Sequence, residues 1–261
     1  MRFPCLSLVL LLVVSMAFAA DQPVLRICAD PNNLPFSNEH GQGFENKLAE
    51  LMAAGMGAKL EYTWWSQRKS FIKNTLDAGR CDVLMGVPTS LDSVEATKPY
   101  YRSTYVFVSR HDRNLRITSL DDPRFEQWRV GVHVVDDNLA PPAAALARRG
   151  ITANVTGFSL FGAYGEANPP RKLIDAVANG TIDVAIVWGP FAGYFAKQEP
   201  VELDIVPVSP AMFLAVPFTF DVSAGVRKGD VGLKNQVNSV LEAQAPQIRE
   251  ILAEYGVPQV H

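Results

Sequence analysis

Short apolar runs alternate with helical segments in the first third of the chain, and this order constrains the fold more than any other feature. The runs "VLRICAD", "KLEYTWW" and "CDVLMGV" are rich in branched, aromatic and sulfur-bearing residues and are short enough to form buried strands. The segments between them, residues 43–58 and 67–79, carry apolar residues at helical spacing and end at glycines. A strand–helix–strand–helix–strand order predicts a parallel sheet with helical crossovers.

A later stretch repeats part of this pattern. In both "TLDAGRCDVLMG" and "AVANGTIDVAIVWG", a glycine closes a helix and an Asp-Val pair opens an apolar strand three residues later. The repeat favours two similar lobes. The second lobe would contain strands at 128–135, 151–158 and 181–189 and helices at 141–150 and 170–180. A further strand with a turn at 228–230 and helices at 233–242 and 246–255 would follow.

The first twenty residues have the pattern of a secretory signal. One arginine precedes an apolar run from Leu6 to Phe18, and Ala17-Phe18-Ala19 fits a small-x-small cleavage site. The run is shorter than the ~20 residues that a membrane span needs, although an uncleaved anchor is the alternative. We therefore expect a signal peptide at 1–20 and a periplasmic mature chain without a transmembrane segment.

Export determines the setting of the cysteines. Cys5 leaves with the signal, so Cys28 and Cys81 remain in an oxidising compartment where a disulfide can form. Both cysteines are expected in or at the start of strands of one sheet, where strand register can hold them too far apart to bond. A disulfide and a pair of buried, inert thiols are both consistent with the sequence.

Charge and motif content exclude several classes of function. The net charge is −3 and the basic residues are scattered, so the 261-residue chain has no nucleic-acid footprint. Neither a nucleophile elbow nor a phosphate loop occurs. No metal-ligand spacing is found among His40, His111, His133 and His261. We expect a binding protein without a metal or cofactor, not an enzyme.

Several segments in order resemble the type II periplasmic solute-binding proteins. The segments are "LRICADPNNLPFS", "GFENKLAELMAAGMGAKLEYTWW", "LDAGRCDVLMGV", "KPYYRSTYVFV" and "SAGVRKGD". A narrower resemblance is to the MxaJ/XoxJ group, which is associated with quinoprotein (PQQ-dependent) methanol dehydrogenases. It is carried by "CADPNNLPFSN", "YTWW", "MGVP", "PYYRSTYVF" and "VWGP".

The resemblance implies an α/β, two-lobed type II periplasmic-binding-protein fold, with two mixed, mostly parallel sheets and a cleft between them. Lobe I would contain residues 21–109 and 214–261, and lobe II residues 110–213, with crossings near 106–110 and 213–217. Ligands of open α/β sheets bind beyond the carboxyl ends of strands. The resulting cleft candidates are Asp30, Asn32, Asn33, Phe36, Trp64, Trp65, Gln67, Arg68, Gly86, Pro88, Thr89, Tyr100, Tyr101, Arg102, Val135, Asp136, Asp137, Trp188 and Gly189.

Three departures separate the chain from amino-acid receptors of this fold. No arginine lies between Gly86 and Pro99, where such receptors hold the ligand carboxylate through a bidentate pair. Asp136 and Asp137 occupy the position of a Gly-Thr-Thr turn that binds the ligand carboxylate in such receptors. Trp188 occupies the position of an aspartate that binds the ligand ammonium group. An amino-acid ligand is therefore not expected, and direct capture of the tricarboxylate PQQ is disfavoured.

Most candidates also have a structural role available to them. These roles are packing for Trp64, Trp65, Tyr100 and Tyr101, ion pairs for Arg68 and Arg102, and a helix cap for Asp136 and Asp137. Asp30 with Arg68 would suit a dehydratase-like site, which is the enzymatic alternative.

Two non-enzymatic functions remain. The favoured one is an accessory protein of a periplasmic PQQ-dependent methanol dehydrogenase. An aromatic cleft that lacks groups for binding an anion is better suited to a segment of a partner protein than to a free amino acid. The alternative is a transport receptor that closes on an uncharged or cationic small molecule.

Overall fold

The structure is a computed structural model that describes residues 22–135, 138–161 and 166–260. The expected signal peptide, with its cleavage site, lies outside the described residues, and so do Asp136 and Asp137.

Strands and helices alternate along most of the described chain. The strands are β1 (Val24–Ala29), β2 (Asn32–Asn33), β3 (Ser37–Asn38), β4 (Lys59–Trp64), β5 (Val83–Pro88), β6 (Glu95–Ala96), β7 (Tyr101–Arg110), β8 (Val130–Val135), β9 (Asn138–Leu139), β10 (Val155–Ser159), β11 (Val184–Trp188), β12 (Leu203–Pro207), β13 (Met212–Phe213), β14 (Val216–Pro217) and β15 (Thr219–Val226). The helices are α1 (Phe44–Gly55), α2 (Phe71–Asn74), α3 (Pro141–Arg148), α4 (Lys172–Ala178), α5 (Gly189–Ala196), α6 (Val231–Ala243) and α7 (Ala245–Glu254). Three-residue or four-residue 3₁₀ turns lie at His111–Arg113, Pro123–Glu126 and Pro169–Arg171.

One strand joins the two halves of the sheet. The order is β10-β8-β11-β7-β15-β5-β1-β4, with β1 parallel to β4 and β5, and β8 parallel to β10 and β11. The start of β7, Tyr101–Thr104, pairs with β15, whereas Tyr105 and the residues after it pair with β11. The predicted mixed α/β fold is confirmed, and the change of partner at Thr104/Tyr105 lies just before the expected crossing at 106–110.

Each half of the sheet has its own core. On the first half, α1 buries Phe44, Leu48 and Met52 against residues of α6 and α7 such as Val237 and Leu252. The second half is covered by α3 on one face and by α4 and α5 on the other, and each face has a separate hydrophobic cluster. The helical spacing read from the sequence therefore corresponds to the faces that are buried.

The predicted helix at 67–79 is wrong in length. Only Phe71–Asn74 is helical, because Thr75 leaves helical geometry and its hydroxyl donates to the Phe71 carbonyl oxygen at 2.7 Å. A side-chain bond of this kind competes with continuation of the helix.

Cys28 and Cys81 form a disulfide, with their Cα atoms 5.4 Å apart. The expected obstacle of strand register does not apply, because β5 begins at Val83 and Cys81 lies before the strand. The residue that pairs with Cys28 across the ladder is Leu84. Both cysteines are buried in a small cluster with Phe71 and Leu76, on the face of the first half opposite α1.

The sequence repeat corresponds to equivalent ion pairs in the two halves. Asp82 accepts from the backbone N–H and guanidinium of Arg26, and Asp183 accepts from the same groups of Arg129. These arginines lie at the beginning of β1 and directly before β8. The contacts to arginine hold the pKa of each carboxyl below its usual range. The first pair thereby holds the start of β1 beside the start of β5, and the second holds the start of β8 beside the start of β11.

Candidate binding cleft

A cavity of about 450 Å³ lies where the two halves of the sheet meet. Its volume is within the range of sites that hold small molecules or single side chains. Seven of the sixteen described lining residues are aromatic, namely Phe36, Tyr101, Tyr105, Phe161, Trp188, Phe191 and Phe220. Polar side chains are contributed by Asn33, Glu45 and Gln67. The described lining residues include no lysine and no arginine, so this part of the cleft offers no cation to an anionic ligand.

Three rings form one wall of the cavity at the point where β7 changes partner. The centroid of Trp188 lies 5.4 Å from that of Tyr105 and 5.8 Å from that of Phe220, both in edge-to-face geometry. Trp188 ends β11 directly opposite Tyr105 in the ladder, which is why the two rings meet. Contacts of this geometry hold the rings in fixed orientations.

A second aromatic contact crosses between the halves. Phe36, in the turn between β2 and β3, packs edge-to-face on Phe191 of α5 with centroids 5.1 Å apart. Phe36 also contacts Phe44 at the start of α1, at 5.2 Å. The turn after β1 is therefore tied both to its own lobe and to the opposite one.

Glu45 is a cavity residue that the sequence analysis missed. It lies in the first turn of α1, where its backbone N–H donates to the Phe36 carbonyl oxygen at 2.9 Å. The carboxyl lies against the backbone of Gly86, which has a φ of +67°. Burial raises the pKa of Glu45 to about 8. Nothing in the sequence distinguishes Glu45 from Glu50 of the same helix, which is exposed and pairs with Lys47.

Tyrosine hydroxyls lie near this carboxyl. The Tyr100 hydroxyl accepts from the Gly86 backbone N–H at 3.1 Å. Burial and the nearby Glu45 raise the pKa of Tyr100 and Tyr101 well above the usual value. Both phenols therefore stay neutral over the physiological range.

Asp30 supports the cleft without lining it. Its carboxylate accepts from the backbone N–H groups of Asn32, at 2.8 Å, and Gln67, at 2.6 Å. The residue is buried, and burial raises its pKa despite these bonds. Asp30 thus fixes two loops that carry cleft residues, and it is absent from the described lining.

The other predicted residues divide into two groups. Those that line the cavity are Asn33, Phe36, Gln67, Gly86, Pro88, Tyr101, Val135 and Trp188. Those that the structure places elsewhere include Trp65, which is 39% exposed with Arg80 over its ring, and Arg102, which pairs with Asp221 at 3.6 Å. The Tyr100 hydroxyl accepts from the Gly86 N–H, and its ring is not part of the described cavity lining. The ring of Trp64 stacks on that of Tyr62.

The comparison with known families decides the class of protein. Residues 25–257 match the model of the bacterial extracellular solute-binding proteins, family 3. The chain belongs to this family. It is 32% identical to Protein MoxJ of Methylorubrum extorquens AM1 over 250 residues, which cover 91% of this chain and 82% of that protein.

Two solved structures are also similar to this chain over their whole length. The periplasmic binding protein XoxJ from Methylobacterium extorquens AM1 is 36% identical with a TM-score of 0.76, covering 91% of this chain and all of that one. MxaJ from Methlophaga aminisulfidivorans MPT is 27% identical with a TM-score of 0.78, at the same coverage. The predicted resemblance to the MxaJ/XoxJ group is confirmed.

In this solute-binding protein, contacts between the two halves also lie at the rim of the cleft. Asn32 donates from its side-chain nitrogen to the Glu166 carbonyl oxygen at 2.5 Å and accepts from the Asn168 N–H at 3.2 Å. The guanidinium of Arg68 lies over the ring of Phe161, 5.4 Å from its centroid. Asn32 and Arg68 are therefore rim residues.

Within residues 22–135, 138–161 and 166–260, no three His, Cys, Asp or Glu side chains are arranged to hold a metal ion. In the same ranges, no helix has both the length and the apolar character needed to cross a membrane.

Proposed function

We propose that the protein is a non-enzymatic periplasmic accessory protein of a quinoprotein methanol dehydrogenase system. It would bind the dehydrogenase, or assist its maturation or cofactor loading, by receiving a segment of that enzyme in its cleft. The observation that carries this proposal is the aromatic cavity of about 450 Å³, whose described lining has no basic side chain. Fully desolvated aromatic pockets are typical contact points for protein partners.

Similarity to known proteins also supports an accessory function. Similarity to MoxJ and XoxJ extends over about nine-tenths of this chain, and so includes both halves and the strand that joins them. In our proposal lobe I is formed by residues 21–109 and 214–261 and lobe II by 110–213, and the partner segment enters between them. The described lining contains no lysine or arginine that could bind the carboxylates of PQQ. This favours action on the enzyme over capture of the free cofactor.

Binding of the mature protein to apo and holo methanol dehydrogenase tests the proposal. We expect saturable binding to the apo enzyme that Phe220→Ala weakens at least tenfold, because Phe220 lies in the cavity wall. Trp65→Ala is the matched control, since that ring is exposed and outside the cavity. Equal affinity of both variants for the dehydrogenase, or no binding by the wild type, would contradict the proposal.

The size of the cavity and the hydrogen bond between the halves at its rim also fit the alternative, a transport receptor for an uncharged or cationic small molecule. A rise in melting temperature caused by one small ligand, together with no dehydrogenase binding, would favour that function.

A further inference from the structure

The proposed function leaves one cavity group unused. Glu45 is the only acidic side chain among the described lining residues, and it faces a space bounded mainly by rings. Its carboxyl has no hydrogen bond and no ion pair with any residue in the described part of the chain. The backbone N–H of Gly86, against which the carboxyl lies, donates to the Tyr100 hydroxyl instead. A carboxylate in such a position is costly to keep charged unless a cation arrives from outside.

A second acceptor in the same cavity also lacks a donor. Asn33 is 5% exposed, and its side-chain nitrogen donates to the Gln67 side-chain oxygen at 3.0 Å. Its Oδ1 atom is buried and has no partner within the described residues. Buried acceptors of this kind are rarely left without a donor in the functional state of a protein.

The rings complete the chemistry of the cavity. Trp188, with Tyr105 and Phe220 packed against it, presents the aromatic surface that attracts organic cations most strongly. The same rings pack well against an alkyl chain. The described lining therefore combines two acceptors without donors and an aromatic wall, and it contains no lysine or arginine. These features favour a ligand that brings N–H donors and a positive charge.

We infer that the cleft binds a primary ammonium group carried on an apolar chain, with Glu45 as its counter-ion and Asn33 as a second acceptor. The inference rests on the proposed use of the cleft for binding and specifies the group that enters it. A lysine side chain of the dehydrogenase and a free alkylamine share this chemistry.

Binding of a cation would move a proton. Because burial raises the pKa of Glu45 to about 8, the carboxyl is mostly protonated in the empty cleft at pH 7. An ammonium group stabilises the carboxylate, so its arrival releases up to about one proton per ligand at that pH. Among the described residues, the titratable groups that face Glu45 are the phenols of Tyr62 on β4 and of Tyr100 and Tyr101 at β7, and their pKa values are raised. They remain neutral and do not contribute to this release.

Calorimetry with n-hexylammonium, and with 1-hexanol as the neutral ligand of similar shape, tests the inference directly. We expect hexylammonium to bind and hexanol to bind at least tenfold more weakly. The apparent affinity for hexylammonium should rise roughly 20-fold to 25-fold between pH 6.5 and pH 8.5, with proton release seen as a dependence on buffer ionisation. Hexanol binding as tightly as hexylammonium, or no hexylammonium binding, would overturn the inference.

Glu45→Gln and Glu50→Gln form a matched pair of variants on α1. Glu45→Gln should lower hexylammonium affinity at least tenfold and remove its pH dependence, whereas Glu50→Gln should change neither, since Glu50 is exposed. Melting temperatures of both variants show that each is folded. If hexylammonium binds Glu45→Gln as well as the wild type, Glu45 is not the counter-ion.

Binding experiments with the dehydrogenase distinguish failure of this inference from failure of the proposed function. If hexylammonium binds through Glu45 but the dehydrogenase does not bind, the inference stands and the source is a free amine. If the dehydrogenase binds and hexylammonium competes, acetylation of the enzyme's lysines should abolish the complex, and the source is a lysine. If the dehydrogenase binds wild type and Glu45→Gln equally and hexylammonium fails to compete, the inference is wrong while the accessory function stands.

Discussion

The Glu45 carboxyl lies so close to the backbone of Gly86 that a β-carbon on residue 86 would be 2.0 Å from Oε1 of Glu45. Gly86 also has a φ of +67°, a conformation that side chains other than glycine rarely adopt. Glycine at position 86 of β5 is therefore required both for the positive φ and for the position of the carboxyl in the cavity.

Gly86→Ala should lower the free energy of unfolding by about 2 kcal/mol, through backbone strain and the clash with Glu45. Glu45→Ala in the same chain should recover only the part caused by the clash, because the positive φ remains. Urea unfolding of the two single variants and the double variant measures this coupling. Strictly additive effects would contradict a direct contact between the two residues.

The stability of the protein should depend on the protonation of Glu45. Its folded pKa of about 8 is above the usual 4.5, so the stabilisation from the neutral form is complete below pH 4.5 and is lost as pH rises to about 8. Glu45→Gln keeps a neutral side chain at every pH. Its advantage over the wild type should grow between pH 5 and 8 to roughly 2 to 4 kcal/mol and then level off. Thermal unfolding across this range measures the difference, and a constant difference would refute the raised pKa.

The disulfide should contribute strongly to stability. Cys28 and Cys81 are 53 residues apart, and closing a loop of that length lowers the entropy of the unfolded chain. The Cys28→Ala/Cys81→Ala variant should lose about 4 kcal/mol of unfolding free energy. Chemical unfolding under oxidising conditions gives this value. Mass spectrometry after alkylation of the unfolded wild type provides the control, since labelling of both thiols without a reductant would show that no bond exists.

Asn32 should hold the rim of the cleft closed. Its side chain bonds the Glu166 carbonyl oxygen and the Asn168 N–H, which belong to the opposite half. Asn32→Ala removes the acceptor of the Asn168 N–H, so hydrogen exchange at Asn168 should accelerate roughly tenfold. Exchange at Asn179, whose N–H donates to the Asp175 carbonyl oxygen, is the internal control and should not change. Unchanged exchange at Asn168 would mean that the rim opens independently of Asn32.

Local sequence determined most of the elements but not all of their lengths. The strands β1, β4, β8 and β11 lie within the predicted runs, β5 extends one residue past its run, and α1, α3, α6 and α7 lie close to the predicted helices. The helix expected at 67–79 shrank to α2, because the hydroxyl of Thr75 bonds back to the chain. Side-chain competition of this kind depends on a rotamer that periodicity does not specify.

Sequence by itself determined the alternation of strands and helices, the repeated Asp-Val strand entries and the aromatic residues that follow the strands. These features are local or periodic, and burial of one face acts on them in the same way wherever they lie in the fold. Only the tertiary structure decided which of those residues share a cavity. Glu45 enters the site because α1 lies against the end of β5, whereas Asp30 is withdrawn from it to bind two loop N–H groups. The disulfide was decided in the same way, since the distance between Cys28 and Cys81 depends on where β5 begins. Contacts between residues far apart in the chain are set by the packing of whole elements, and no local pattern encodes that packing.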